Sequence, residues 1–174
     1  MRILAIDPGT VQSAFCEVDY DTYEIHDFGK IDNADLLSRM QFDSYQVAVI
    51  EMVACYGMPV GREVFETCVW IGRFEQAAES LLKLTDRIYR EEEKQTLCHS
   101  LKAKDSNIMR ALIDRFAQHD LTTGKGTKFN PDWFYGFKKD IWAAYAVAVT
   151  WIDKRKEQGF HDRAAKPDGQ AEPE

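Results

Sequence analysis

A chain of 174 residues with 45% hydrophobic content can bury one sizeable core, and no second block of comparable pattern follows, so one domain over residues 1–157 is expected. No apolar run approaches the roughly 20 residues that span a bilayer, and the N-terminus lacks the basic, apolar and small-residue order of a signal peptide; a soluble, cytoplasmic protein with no membrane partner is expected. The net charge of −7 argues against a uniformly basic nucleic-acid binder, but ten acids against three basic residues fall between Met1 and Glu51 and nineteen of each follow.

In chain order, residues 2 to 6 read as a buried strand that runs into Asp7 and must stop there, because Pro8 cannot extend a ladder and Gly9 opens backbone angles closed to other residues. The carboxylate is thereby held at a strand end. Ser13 to Val18 and Tyr23 to Ile31 follow as strands around the turn Asp19 to Thr22, giving an antiparallel meander in which Glu17 and Asp19 face water. Ala34 to Phe42 is a short amphipathic helix with Asn33 as its cap. Gln46 to Ile50 is a continuous apolar strand, as buried parallel strands tend to be, and it too ends in an acid, Glu51.

Val60 to Leu84 carries Val64, Phe65, Cys68, Ile71, Phe74, Ala78 and Leu81 at intervals of three and four, the stripe of a long helix facing a core. Arg87 to Arg90 is a short strand, and Asp105 to Phe116 a helix with Ile108, Met109, Leu112 and Phe116 inward. Gln118 to Phe137 is an unusually long loop mixing glycines with Lys125, Lys128, Phe129, Trp133, Phe134 and Tyr135. Such a loop can bind phosphates and stack on bases, or can be packed down by its own aromatics. Asp140 opens the last helix, whose alanines permit close approach to the sheet, and by itself favours the positive end of the helix dipole. Residues 158–174 are polar and are expected to be a disordered tail. The four cysteines, Cys16, Cys55, Cys68 and Cys98, lack a C-x-x-C pair and suggest neither a zinc site nor a disulfide framework.

Asp7, Glu51 and Asp140 form the one arrangement above background. Two carboxylates about 4 Å apart repel by roughly 4 kcal/mol at an effective dielectric near 20, so folding would not gather them without a cation. Magnesium or manganese takes oxygen ligands, and two such ions about 3.5–4 Å apart can activate a water and stabilise the leaving oxygen of a phosphodiester. The basic residues Lys102, Lys104 and Arg110, with Lys125, Lys128, Lys138 and Lys139, are compatible with phosphate binding, but taken alone they read more simply as an ordinary solvated surface.

Ile6-Asp7-Pro8-Gly9, then Val49-Ile50-Glu51, then Asp140-x-x-Ala-Ala-x-Ala-Val-Ala, in that order, resemble the RuvC family of Holliday-junction resolvases, and more closely its phage-encoded branch. The resemblance covers roughly residues 2 to 155. It implies an α/β, ribonuclease H-like fold with a central five-stranded mixed sheet flanked by helices. It also implies a homodimeric endodeoxyribonuclease that cuts two opposed strands of a four-way DNA junction with magnesium or manganese, two ions per site, and leaves 5′-phosphates. No nucleotide cofactor is implied. Asp7, Glu51 and Asp140 match the family's metal-ligating, catalytic acids, and Lys102, Lys104 and Lys139 are the phosphate contacts expected. Bacterial members carry a further acid three positions after the one matching Asp140, where this chain has Ala143; Asp105 is the substitute considered. A wedge-like residue near the exchange point falls to Tyr56 or Met58, and a dimer interface to the exposed flank of the long helix, at Trp70 or Phe74.

Three other readings compete. Asp7-Pro8-Gly9-Thr10 after a first strand also resembles the phosphate loop of sugar kinases and actin-like ATPases, but those need a second domain and a second glycine-rich segment. A nuclease acting on flaps, other branched DNA or RNA, and a catalytically weakened junction-binding module suggested by Ala143, are nearer alternatives.

Overall fold

The computed structural model describes residues 1–55, 57 and 59–159; the wedge candidates Tyr56 and Met58, and the tail from residue 160 onward, lie outside the described residues. The elements are β1 (Arg2–Asp7), β2 (Gln12–Asp19), β3 (Ile25–Asp32), α1 (Asn33–Met40), β4 (Val47–Met52), α2 (Arg62–Ser80), β5 (Leu84–Tyr89), α3 (Arg90–Cys98), α4 (Asp105–Phe116) and α5 (Lys139–Glu157). The five strands form one sheet in the order β3-β2-β1-β4-β5, with β1, β2 and β3 antiparallel and β4 and β5 running parallel to β1. This is the five-stranded mixed sheet expected from the sequence. Among the described residues no helix is long and apolar enough to cross a membrane, and Cys16, Cys68 and Cys98 are free thiols.

Helices cover both faces, so the central strands bury side chains of both parities. Ile3, Ala5, Val47 and Val49 point toward α5 and α4, in a core completed by Tyr145, Val149 and Leu112. Leu4, Ile6, Ala48 and Ile50 point the other way, against Leu36, Met40, Ile71 and Phe74 of α1 and α2. Ala144, Ala146 and Ala148 of α5 are fully buried, as a helix lying close on a sheet requires.

Double-sided cover corrects one expectation. Glu17 does not face water: it is 4% exposed and its Oε1 accepts from Arg39 Nη2 at 2.9 Å. On a strand buried on both faces the polar alternation of a half-exposed strand no longer applies.

Two more corrections concern α2. It spans Arg62–Ser80 rather than beginning at Val60, and its first turns stand clear of the core, so Phe65 is 63% exposed while Phe74 is fully buried. Phe74 is therefore a core residue and not part of an exposed flank; Trp70 is half-buried. Met109, expected inward on α4, is also exposed.

The turn after β1 is held from an unexpected direction. Gly9 does not adopt a positive φ; a side chain there would instead place its Cβ 2.3 Å from the Gln12 carbonyl oxygen. Asn33, expected as a helix cap, lies inside α1 behind Asp32. Its Nδ2 donates to the Gly9 carbonyl at 2.9 Å, and its Oδ1 accepts from Ser13 Oγ at 2.6 Å. The Ser13 hydroxyl in turn accepts from the Gly9 N–H at 3.2 Å. The Asp7-Pro8-Gly9 turn is thus fixed to β2 and α1 by part-buried hydrogen bonds to Ser13 and Asn33.

Candidate active site

The parallel register between β1 and β4 pairs Ile6 with Ile50, so Asp7 and Glu51 are the next residue on each of two adjacent strands. Neighbouring strands lie about 4.8 Å apart. Side chains alternate along a strand, and Asp7 and Glu51 share parity with Ala5 and Val49; both carboxyls therefore project onto the face covered by α5. Asp140, in the first turn of α5, lies at the mouth of the same cleft. The cleft has a volume of about 690 Å³ and is also lined by Arg90, Asp105, Ser106, Met109, Lys125, Lys139 and Ala143.

Asp7 and Glu51 are within hydrogen-bonding reach of each other and partly shielded from water. Burial, then the Glu51 charge, push the Asp7 carboxyl up to about 8; burial also raises Glu51, while the Asp7 hydrogen bond and Arg90 oppose the rise. Two carboxylates this close and this dry cannot both ionise without a cation.

Two protein cations pair with the acids here. Arg90, the first residue of α3, sends Nη1 to Glu93 Oε2 at 2.5 Å and Nη2 to Asp105 Oδ1 at 2.5 Å, and its charge also acts on Asp7 and Glu51. Lys30 of β3 pairs with Asp140. Glu93 lies fully buried behind Arg90, with its Oε1 lacking a hydrogen-bond partner. Burial, then the Glu51 charge, push the Glu93 carboxyl up to about 9.

The donor set fits a hard divalent cation. Asp7 and Glu51 offer oxygen only, neither is salt-bridged to a cation among the described residues, and Glu93 holds an orphaned oxygen nearby. Among the described residues no three such side chains converge closely enough to hold a metal ion in the present arrangement. In that arrangement Lys30 is paired with Asp140, and Arg90 with Glu93 and Asp105.

The sequence-predicted residues thus divide. Asp7, Glu51, Asp140 and Lys139 line one cleft. Asp105 lines it as well, with its side chain 86% exposed and tied to Arg90, and Ala143 lies one helical turn from Asp140 on the cleft wall. Lys102 and Lys104 are exposed in the segment leading into α4 and do not line the cleft. Sequence reasoning did not single out Arg90, Glu93 or Lys30. The third strand in the parallel set, β5, also runs into charge at its end, as β1 and β4 do, and that repeated pattern was the available signal for Arg90 and Glu93.

A five-stranded mixed sheet in this order, with helices on both faces and acids at the ends of the two central strands, is the ribonuclease H-like fold of α/β proteins. The similar solved structures are more particular. Thermus thermophilus RuvC superposes with a TM-score of 0.66 at 13% sequence identity, covering 90% of this chain and 97% of that one. T. thermophilus RuvC in complex with Holliday junction substrate gives a TM-score of 0.68 at 12% identity, covering 90% of this chain and 96% of that one. A ROK family protein from Streptococcus pneumoniae in complex with sucrose overlaps 55% of this chain with a TM-score of 0.39. No family model and no curated relative matches the sequence. The fold is RuvC-like across nearly its whole length.

Proposed function

We propose that the protein is a divalent-metal-dependent endodeoxyribonuclease that resolves four-way DNA junctions by paired nicks leaving 5′-phosphates, acting as a homodimer. One observation carries this reading: Asp7 and Glu51 sit side by side at the ends of adjacent parallel strands, partly buried and mutually repelling, in a cleft whose rim carries Asp140, Lys125 and Lys139. A structurally similar RuvC is seen with a Holliday junction substrate, which supports branched DNA as the ligand.

Magnesium or manganese bound there would supply Lewis-acid stabilisation of phosphate charge and an activated water. Asp7 and Glu51 would hold it from the sheet, and Asp140 would join them on exchanging Lys30 for the metal. Lys139 and Lys125 flank the acids and would neutralise phosphates on either side of the scissile one, orienting the strand across the cleft. Lys102 and Lys104, on the approach to α4, would hold the arm of DNA lying beyond Asp105.

A labelled four-way junction, offered to the protein with and without magnesium, tests the proposal. Binding without magnesium and symmetric nicks on its addition are expected. Asp7→Asn is expected to keep binding within about threefold, since it removes no phosphate contact, and to lose nicking altogether. Undiminished cleavage by this variant would remove Asp7 from the mechanism.

A further inference from the structure

The segment between α4 and α5 is long, yet it is a built object. Asp132, with its side chain 1% exposed, accepts from the N–H groups of Gln118 at 2.9 Å, His119 at 2.9 Å, Asp120 at 2.6 Å and Trp133 at 2.7 Å. Asp120 accepts from the N–H groups of Thr122 at 3.1 Å, Thr123 at 3.0 Å and Gly126 at 3.0 Å. Trp133 stacks on Phe116 at 5.3 Å between ring centroids, and Phe134 lies 4.4 Å from Trp142. The base of the segment is therefore fastened to α4 and α5.

From that base a short hairpin projects. Gly126 and Pro131 form an antiparallel bridge, and the Thr127 N–H donates to the Asn130 carbonyl at 2.9 Å while the Asn130 N–H returns to Thr127 at 3.2 Å. Gly126 has φ +64°, and a Cβ there would lie 2.3 Å from the Asn130 carbonyl oxygen. Lys128 and Phe129 are the two central residues of this turn. Phe129 is 96% exposed, the most exposed large apolar side chain among the described residues, whereas Trp133, Phe134 and Phe137 from the same segment pack inward.

A phenyl ring in water contributes nothing to folding, and the staples beneath it remove the freedom by which it could find cover. Lys125, two residues after the stapled Thr123 and one before the hairpin, lines the acidic cleft. A ring beside two lysines matches a base face beside phosphates, the chemistry by which single-stranded nucleic acid is held. Paired duplex offers no free base face; a branch point does.

We propose that the Lys128–Phe129 tip engages the branch point of the bound DNA, with Phe129 stacking on a base unpaired there and Lys125 and Lys128 gripping adjacent phosphates. This rests on the junction reading above and adds to it the element that reads the branch. Junctions carrying 2-aminopurine at successive positions through the branch point are titrated with protein in EDTA, beside linear duplex. The wild type is expected to prefer the junction and to change the fluorescence of a base at the centre. Phe129→Ala should abolish that change and weaken junction binding by about tenfold, leave duplex binding and the melting temperature unmoved, and be rescued by Phe129→Tyr. An unchanged signal and affinity in Phe129→Ala, with the wild type still preferring the junction, would overturn the tip proposal alone and leave the tip as a contact for some apolar protein pocket. A wild type that fails to distinguish junction from duplex would overturn the junction reading, and the tip proposal with it.

Discussion

Asp7, Glu51, Glu93 and Asp105 crowd around the Arg90 guanidinium at the ends of β1, β4 and β5, and water reaches only the last of these acids freely. A buried ion pair gives little net stability, but removing one partner strands the other, which costs about 3–5 kcal/mol. Arg90→Met should therefore destabilise the protein at neutral pH in EDTA, by less than that amount because the raised Glu93 and Asp7 carboxyls can keep their protons. Magnesium or manganese should restore part of the loss, because a divalent ion can take over the neutralisation of Asp7 and Glu51. Denaturant melts of the variant with and without metal check this; a variant as stable as the wild type in EDTA would show that Arg90 is not the counter-ion these acids depend on. The acids on the two central strands were legible because an apolar run that ends in a carboxylate is a rare pattern. Arg90 and Glu93 were not, since a run of charges opening a helix looks like any solvated surface until β5 places it beside β4.

At the scale of elements, pattern and structure part where tertiary cover changes the rule. The boundaries of α4 follow from periodicity and match the expectation residue for residue. Helix α3 carries few apolar residues, Leu97 and Cys98 among them, so no amphipathic stripe announced it; it is held by the ion pairs of Arg90 and by Lys154 on Glu92. The long segment before α5 was readable as aromatic and basic, but not which of its aromatics would point inward. Asp132 decides that. Burial opposes its ionisation, yet four backbone N–H donors outweigh burial and hold the carboxyl well below its usual range. A depressed pKa contributes stability that is present above the ordinary value of 3.8 and is lost as pH falls toward the folded-state pKa. Asp132→Asn should accordingly cost about 2–3 kcal/mol at pH 7, the worth of charge-assisted bonds to one carboxylate, and the gap to wild type should narrow below about pH 4. Melts of both proteins at pH 7 and pH 3 measure it; an equal gap at both would show that the charge on Asp132 is not what fastens the segment.

For the whole molecule, the excess of acid lies within the first 51 residues. Part of it is paired: Arg39 with Glu17, Asp27 and Asp43, and the N-terminal ammonium with Asp19. The cleft rim at the far ends of β1 and β4 carries the lysines instead. A single cleft can make only one nick, so paired nicking of opposed strands requires two copies of the chain held in fixed relation. The opening turns of α2 leave Phe65 and Val69 exposed at 63% and 57%, and a groove lined by Leu37, Val69, Gly72 and Ala77 runs between α1 and α2. Both side chains lie on the helix that follows the strand bearing Glu51, so a contact between copies there would fix the two acid sites relative to each other. Charges placed on that flank, in Phe65→Asp with Val69→Asp, should convert a dimer to a monomer in sedimentation while leaving the melting temperature within a few degrees, since exposed positions contribute little to the fold. The monomer should still nick junctions, but one strand at a time, so that nicked intermediates accumulate and resolved duplexes lag behind. A doubly substituted protein that stays dimeric and resolves junctions in a concerted step would place the interface on another face.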